Sequence, residues 1–268
     1  MNLQLPLPFE LEPFRAQLEA TVKPFIRVEP QTANFPTLWE SKIGGVPYLP
    51  LNVDFPKNEN GQLLFFLAQI NFSEVPSMQP LPEKGILQFY INDSDLYGLS
   101  FSKPFTQNNF RVLYFEDIEE DSDKLTTDFA FLDERTYEDL PIVPNISYPL
   151  KFSASREILP PSDYRFTEQI GFDFFKNATE NAEAEEQLYQ TYYQMTKNTG
   201  HKLWGYPAFT QEDPRYDLEE KYELLFQLDS DSAIDCMWGD VGVGNFFITK
   251  ENLEKRDFSK VMYNWDCS

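Results

Sequence analysis

The sequence of 268 residues contains a single histidine, His201. Any Ser-His-Asp triad or Cys-His dyad would therefore have to use this one imidazole. Metal sites that need two or more histidines are excluded, including the two-histidine zinc motif of metalloproteases. We interpret His201 as a surface residue, because it comes just before a predicted turn and lies beside Lys202.

Cysteine and long apolar segments are scarce as well. Cys236 and Cys267 are the only two cysteines, which does not suggest the disulfide scaffold of a small secreted protein. No apolar run approaches the roughly 20 residues that span a bilayer, and the first residues lack the features of a secretory signal. We therefore expect a cytoplasmic protein, and no motif indicates a bound cofactor or a metal.

Basic residues are few compared with acidic ones. The chain has 22 Lys and Arg against 44 Asp and Glu, so its formal net charge is -22. Binding to nucleic acid and to anionic membranes depends on clustered Lys and Arg, and both are therefore disfavoured. The excess of acid favours solubility, and it also suits a basic protein partner that the electrostatic field draws in.

Apolar and aromatic residues are abundant enough to build a large core. Hydrophobic residues make up 41% of the chain, which includes 25 Phe. Apolar periodicity predicts helices at residues 8–22 and 180–197 and strands at residues 23–30, 63–72, 86–93, 110–117 and 146–157. Pro149 lies within the last of these strands and indicates an edge strand.

A short pattern occurs twice in the chain. The segment SKIGGVPYL recurs as HKLWGYPAF, so that Lys42 corresponds to Lys202 at an offset of 160. After a small shift, residues 85–91 also match residues 242–248. The repeated pattern predicts two similar units of β-strands. Both lysines are expected to be exposed; the alternative is that they pair with the acidic strand ends.

The strand that follows each turn segment becomes polar at its end. A gapless alignment places Gln69 on Asp229 and Asn71 on Asp231, so the first unit has amides where the second has carboxylates. Side chains two residues apart share one face of a strand. We therefore expect that any binding site belongs to the second unit.

At these residues the chain resembles a known family. The motifs SKIGGVPYLP, FLAQINF, LPEKGILQFY, LLFQLDSD and MWGDVGVGNFFI resemble the YwqG-like family, a bacterial family whose domain has no assigned function. The resemblance runs from about Phe35 to the carboxyl end, with Phe55-Pro56 where the family usually has Trp-Pro. It implies an α+β fold with a duplicated core of antiparallel strands. Some relatives look like components of bacterial toxin–immunity loci, which implies binding rather than catalysis.

The repeat and the resemblance together predict the architecture. We expect an α+β fold with a predominantly antiparallel β-sheet core, built from two similar, duplicated β-rich units with a few peripheral helices. Residues 1–268 are expected to form one YwqG-like domain. Its two internal repeats lie at approximately 35–117 and 200–268, and an acidic connection and a helix join them.

Carboxylates cluster where the second apolar strand ends. Asp229 and Asp231 would share one strand face, and Asp240 follows within a turn or loop. Such a group could hold Ca²⁺ or Mg²⁺, or supply the paired carboxylates of a hydrolase. The segment is not an EF-hand loop, because Ile234 stands where that loop requires Gly. In the alternative interpretation, these Asp side chains cap turns by accepting backbone N–H groups.

No residue is predicted to be catalytic. The function that we expect is a non-enzymatic protein-binding factor, of immunity or regulatory type, with a basic protein partner. The alternative is a metal-dependent or carboxylate-based hydrolase that uses the Asp cluster. The candidate residues for binding a ligand or partner are Gln69, Asn71, Trp204, Asp229, Asp231, Trp238 and Asp240.

Overall fold

The computed structural model describes residues 7–32, 35–133, 135–171 and 173–268, and these residues form one ten-stranded sheet. The strands are β1 (Lys23–Pro30), β2 (Lys42–Gly44), β3 (Phe65–Asn71), β4 (Ile86–Ile91), β5 (Phe110–Phe115), β6 (Ser147–Glu157), β7 (Lys202–Leu203), β8 (Tyr222–Asp229), β9 (Val243–Thr249) and β10 (Met262–Asp266). All neighbouring strands are antiparallel.

Helices are short and lie outside the sheet. The α-helices are α1 (Arg15–Glu19), α2 (Ala130–Asp133), α3 (Phe166–Gln169), α4 (Phe174–Asn177), α5 (Ala182–Met195) and α6 (Lys250–Glu254). The 3₁₀ helices are Phe9–Phe14, Phe72–Glu74, Ser122–Lys124, Ser232–Ile234 and Phe258–Lys260. The predicted α+β class with a mostly antiparallel sheet is confirmed. None of the described helices is long and apolar enough to cross a membrane.

The two halves of the sheet have the same order of strands when each half is followed outward from the centre. The order is β10-β9-β8-β7-β1-β6-β2-β3-β4-β5, with the long strands β1 and β6 paired at the centre. On each side the next strand is very short, and three longer strands follow it. This order supports the duplication, which stays a prediction.

The register of the short strands shows how the two halves correspond. Lys42 on β2 lies opposite Gln69 on β3, and Lys202 on β7 lies opposite Gln227 on β8. The first pair is 27 positions apart in sequence and the second pair is 25 positions apart. The gapless alignment is therefore wrong by two residues, because the loop before the long strand is two residues shorter in the second half.

The two-residue correction changes which polar residues correspond at the strand ends. Asn71 lies opposite Ile86 at the start of β4, and Asp229 lies opposite Val243 at the start of β9. Asn71 therefore corresponds to Asp229, whereas Asp231 lies beyond the end of β8. One amide is replaced by a carboxylate at this point, and the buried glutamine is present in both halves.

The strand β6 is central, and the prediction that it lies at an edge is wrong. It pairs with β1 along its length and with β2 at its beginning. Pro149 is tolerated because the ladder between β6 and β1 ends at Leu150, which lies opposite Pro30. Its carbonyl still accepts the N–H of Gln31 at 2.8 Å. The missing N–H therefore leaves no gap in the ladder.

The sheet curls so that its two halves pack face to face, and its shape is nearly a barrel. On the inside, the ring of Phe89 on β4 lies 4.7 Å from the rings of Phe226 and Phe246 on the other half. The edge strands also approach each other, because Phe110 on β5 and Tyr263 on β10 have ring centroids 5.3 Å apart. Both halves thus share one aromatic core.

The turn lysine of the first half is buried, and the prediction that it is exposed is wrong. Lys42 is 2% exposed, and its Nζ donates to the carbonyl oxygens of Thr37 at 2.6 Å, Leu38 at 3.2 Å and Val46 at 3.3 Å. A buried ammonium needs such partners to offset the loss of water. The three carbonyls come from the chain on both sides of the lysine, so its side chain holds the turn closed.

The lysine of the second half is also buried, with one different partner. Lys202 is 1% exposed, and its Nζ donates to the carbonyl oxygen of Tyr206 at 3.0 Å. Its other partner is the carboxylate of Glu157 on β6, at 2.8 Å. Here a buried ion pair replaces two of the neutral carbonyl contacts of the first half.

Each half also uses a buried glutamine to hold the turn segment. The side chain of Gln69 donates to the carbonyl oxygens of Leu38 and Glu40, both at 2.7 Å, and accepts the N–H of Tyr48 at 2.9 Å. We call Lys42 and Gln69 the first clamp. Because β2 has only three residues, these side-chain bonds supply much of what positions the turn.

The second half repeats these contacts. The side chain of Gln227 donates to the carbonyl oxygens of Asn198 at 2.9 Å and Gly200 at 2.7 Å, and it accepts the N–H of Ala208 at 2.8 Å. We call Lys202 and Gln227 the second clamp. Its bonds fix the turn that leads into β7, where the chain borders a cleft.

The first clamp predicts an unusual dependence of stability on pH. Burial lowers the pKa of Lys42 from 10.5 to about 8. The pKa of Lys42 is lower in the folded state than in the unfolded state. Its contribution to the free energy of unfolding is therefore complete above pH 10.5 and is lost as the pH falls through 8. Relative to Lys42→Met, the wild-type free energy of unfolding should rise by up to about 3 kcal/mol between pH 7 and pH 10.

Urea unfolding of both proteins at the two pH values measures this difference. Lys221→Met is the matched control, because Lys221 is exposed, and its difference from the wild type should not change with pH. A difference for Lys42→Met that is equally independent of pH would contradict the account of the first clamp.

Candidate functional site

A cleft opens in the second half of the sheet where β7 begins. Since β7 is antiparallel to both β1 and β8, those two strands run in the same direction and their carboxyl ends lie at the same edge. With only two residues in β7, little backbone joins them there. The cleft has a volume of about 690 Å³. Its lining comes from the end of β1, the segment after α5, residues 208–210 and the end of β8.

Two of the seven candidate residues line this cleft, namely Asp229 and Asp231. Asp240 is exposed and is not part of the lining. Trp204 and Trp238 are buried core residues, so neither ring faces the cleft. The structure therefore brings together two of the three carboxylates of the predicted cluster.

The two candidate residues of the first half are structural. Gln69 belongs to the first clamp, which is away from the cleft. Asn71 caps the 3₁₀ helix that follows it, because its Oδ1 accepts the N–H of Ser73 at 3.0 Å. Its Nδ2 donates to the carbonyl oxygen of Trp39 at 3.0 Å. Both amides are thus used within the fold.

The single histidine lies in the wall of the cleft, and the prediction that it is a surface residue is wrong. His201 is 5% exposed. Its Nδ1 accepts the N–H of Asp229 at 3.0 Å, so the ring proton must be on Nε2, which lies 3.2 Å from Oδ2 of Asp231. Burial lowers the pKa of His201 and favours this neutral form. The imidazole therefore fixes the two aspartates and has no free nitrogen.

Backbone groups hold the carboxylates of the cleft in place. Asp229 accepts the N–H of Gly200 at 2.6 Å and that of Ser230 at 2.9 Å. Asp231 accepts the N–H of Ala233 at 2.8 Å, besides its contact with the neutral imidazole. Among the described residues, no lysine or arginine pairs with either carboxylate. The cleft thus contains two ordered negative charges that no cation neutralises.

No activated nucleophile lies beside these carboxylates in the described part of the chain. The hydroxyl of Ser230 donates to the carbonyl oxygen of Gly242 at 2.7 Å and accepts the N–H of Trp238 at 3.0 Å, away from His201. Burial raises the pKa of the Cys236 thiol, which opposes formation of a thiolate. Neither hydroxyl nor thiol is therefore paired with a base.

A metal site also finds little support within the described ranges. They contain no group of three or more His, Cys, Asp or Glu side chains arranged to hold a metal ion. Asp231 instead caps the 3₁₀ helix that begins at Ser232. For Asp229 and Asp231, the structure agrees with the interpretation that these side chains accept backbone N–H groups at turns.

Two cations of the cleft were missed by the sequence reasoning. Arg27 projects from β1 and Lys197 follows α5; both side chains are exposed and both line the cleft. Within the described residues neither one forms an ion pair. The sequence did contain a signal for Arg27, because this arginine interrupts the apolar strand KPFIRVEP. Lys197 gave no signal beyond its place at the end of a helix.

A second cluster of charges is buried outside the cleft. Arg215 donates to Asp213 at 2.7 Å and to Asp163 at 2.9 Å, and Arg165 in turn donates to Asp163 at 2.7 Å. Burial alone would raise the pKa of Asp163, but the two arginines outweigh it and lower the pKa to about 2. The signal in the sequence was the repeated Asp-x-Arg pattern of SDYR and EDPR. The cluster joins two loops and has no opening to the cleft.

Comparison with known proteins gives a family but no activity. The family model described as a domain of unknown function (DUF1963) matches residues 41–267, which include both clamps. No curated protein matches the chain. The expected membership of a family without an assigned function is confirmed, whereas the name YwqG-like stays a prediction.

The first half supplies a test of the role of His201. There, Ser41 Oγ accepts the N–H of Asn71 at 2.8 Å, which is the contact that His201 Nδ1 makes with Asp229. His201→Ser should therefore keep an acceptor for this N–H, whereas His201→Ala leaves the group buried and unpaired. We expect the serine variant to be more stable than the alanine variant by about 1 kcal/mol in urea unfolding.

Ser41→Ala is the control in the first half, and it should lose a similar amount. Equal stability of the serine and alanine variants at position 201 would contradict the assigned contact.

Proposed function

This chain belongs to the family described as a domain of unknown function (DUF1963), and we propose that it is a non-enzymatic binding protein of the bacterial cytoplasm. Its cleft takes a cationic side chain of a basic protein partner. A regulatory or immunity-type role fits such an interaction. The observation that carries the proposal is the pair of ordered, unneutralised carboxylates of Asp229 and Asp231.

The fixed positions of the two carboxylates favour binding. Backbone N–H groups already fix Asp229 and Asp231, so little side-chain freedom is lost when a partner binds. A lysine or arginine of the partner can make charge-assisted hydrogen bonds with the remaining acceptor positions of these oxygens. The carboxylates thus form a rigid receptor for a cation.

The other lining residues suit the stem of such a side chain. Tyr193 and Phe209 contribute aromatic surface to the cleft. The methylene groups of lysine and arginine pack on aromatic rings, and their charged ends are attracted to the ring faces. A volume of about 690 Å³ is also within the range of roughly 300–1,000 Å³ that is usual for ligand sites.

The charge of the whole protein acts in the same direction. With a formal net charge of -22, the protein attracts basic molecules over a distance of about 10 Å at moderate salt. Long-range attraction raises the rate of encounter, and the cleft supplies the specific contact. Binding should therefore weaken as the salt concentration rises.

The hydrolase alternative has less support from the same geometry. A carboxylate-based hydrolase needs a general base and a second group that acts as an acid or a nucleophile. Both nitrogens of His201 are already hydrogen-bonded, and Asp240 does not line the cleft with Asp229 and Asp231. These contacts favour recognition over proton transfer.

Pentalysine amide is a simple probe of the proposal. Calorimetric titration at low salt should show binding that weakens as salt is added. The double variant Asp229→Asn/Asp231→Asn should weaken it by about ten-fold or more, because it removes both charges. Each amide oxygen can replace only one of the two carboxylate oxygens, so each variant side chain keeps one of its two contacts. Thermal unfolding should show that this variant remains folded.

The matched control is Glu212→Gln/Glu219→Gln, which removes two exposed negative charges outside the cleft. It should retain nearly the wild-type affinity. If it loses as much affinity as the cleft variant, or if pentalysine amide does not bind at low salt, the proposal is wrong.

A further inference from the structure

The wall of the cleft opposite Asp229 and Asp231 carries two cations as well as the carboxylate of Glu29. Arg27 reaches the cleft from β1 and Lys197 from the segment after α5, whereas Asp229 and Asp231 lie at the end of β8. A partner that supplied only cations would satisfy one wall and leave two cations facing it. The charges of the cleft therefore point to a ligand with both signs.

Arg27 lacks a neutralising neighbour in the sheet. Directly opposite it are Ser153 on β6 and Lys202 on β7, and the second of these is itself a cation. The nearest carboxylate on its own strand is Glu29, which also lines the cleft and forms no ion pair with Arg27. Arg27 is thus an exposed arginine without an ion pair to any described residue, and it lies opposite another cation in the sheet. An incoming anion would relieve this arrangement.

A carboxylate is the anion that this wall fits. The planar guanidinium of arginine binds carboxylates through two parallel hydrogen bonds, and an exposed ammonium such as that of Lys197 adds a second donor. Capture of a terminal carboxylate is also a recurring way of recognising peptides. The carboxyl-terminal lysine or arginine of a polypeptide has such a carboxylate, and its alkyl stem separates this group from the side-chain cation.

We infer that the cleft recognises the carboxyl-terminal residue of a basic polypeptide. Its side-chain cation lies between Asp229 and Asp231, and its terminal carboxylate binds Arg27 and Lys197. This inference rests on the proposed function, since it assigns to the same cleft a second contact. It adds that the partner must present a free carboxyl end, which a basic surface patch does not.

Two peptides that differ in one group test the inference. Both are pentapeptides with the same sequence and a carboxyl-terminal lysine; one ends in a free carboxylate and the other in an amide. For the wild type, calorimetric titration should give an affinity about ten-fold or more higher for the free acid, although the acid carries less positive charge. General electrostatic attraction to an acidic protein would favour the amide instead.

The variant Arg27→Gln/Lys197→Gln should lose the preference, so that the ratio of the two affinities falls to about one or below. Lys221→Gln/Lys250→Gln removes two exposed cations outside the cleft and should keep the preference. Asp229→Asn/Asp231→Asn should weaken both peptides together. Because the ratio is measured within each variant, a small change in overall stability does not imitate the result.

The outcomes separate the inference from the function that it extends. If both peptides bind the wild type equally well, or if the preference persists in Arg27→Gln/Lys197→Gln, the inference is overturned and the proposed function stands. If neither peptide binds, the proposed function is wrong and the inference falls with it.

Discussion

The fold depends on one kind of contact, in which a buried glutamine holds a turn that the sheet alone cannot fix. Gln69 makes three hydrogen bonds to the turn of the first half, and Gln227 makes three to that of the second. The strands that follow these turns have only three and two residues. With so few ladder bonds, the position of each turn is set by side chains, and removal of either amide would leave buried backbone groups unpaired.

The cleft in the second half is a consequence of the same shortage of ladder hydrogen bonds. Because β7 is so short, β1 and β8 part at their carboxyl ends, and the second clamp fixes the turn that lies at this gap. Substitution of His201 for the serine of the first half extends the network outward to Asp231. The result is a wall of fixed acceptors that faces two unpaired cations. A structural device shared by both halves thus borders this cleft in the second half.

Local patterns predicted β1, β3, β4, β5, β6 and the longest helix, whereas burial of polar side chains was not predicted. The helix α5 could be found because its acidic start, its composition and its cap, Asn181, all lie within one segment. Lys42 and His201 were expected at the surface, since a charged or titratable residue beside a turn is usually exposed. Their partners include groups that only the tertiary fold brings close, such as the N–H of Asp229 for His201. The two-residue gap between the halves was hidden for the same reason, because only pairing fixes register.

The ring of His201 offers the most direct test of the central claim, that these polar residues are fixed acceptors rather than catalysts. Nitrogen NMR shifts of the labelled imidazole report which ring nitrogen carries a proton. The account predicts a mostly neutral ring with the proton on Nε2 at pH 6.5, because burial lowers the pKa of this histidine. A charged ring at pH 6.5, or a proton on Nδ1, would contradict it and would leave a histidine able to exchange protons in the cleft.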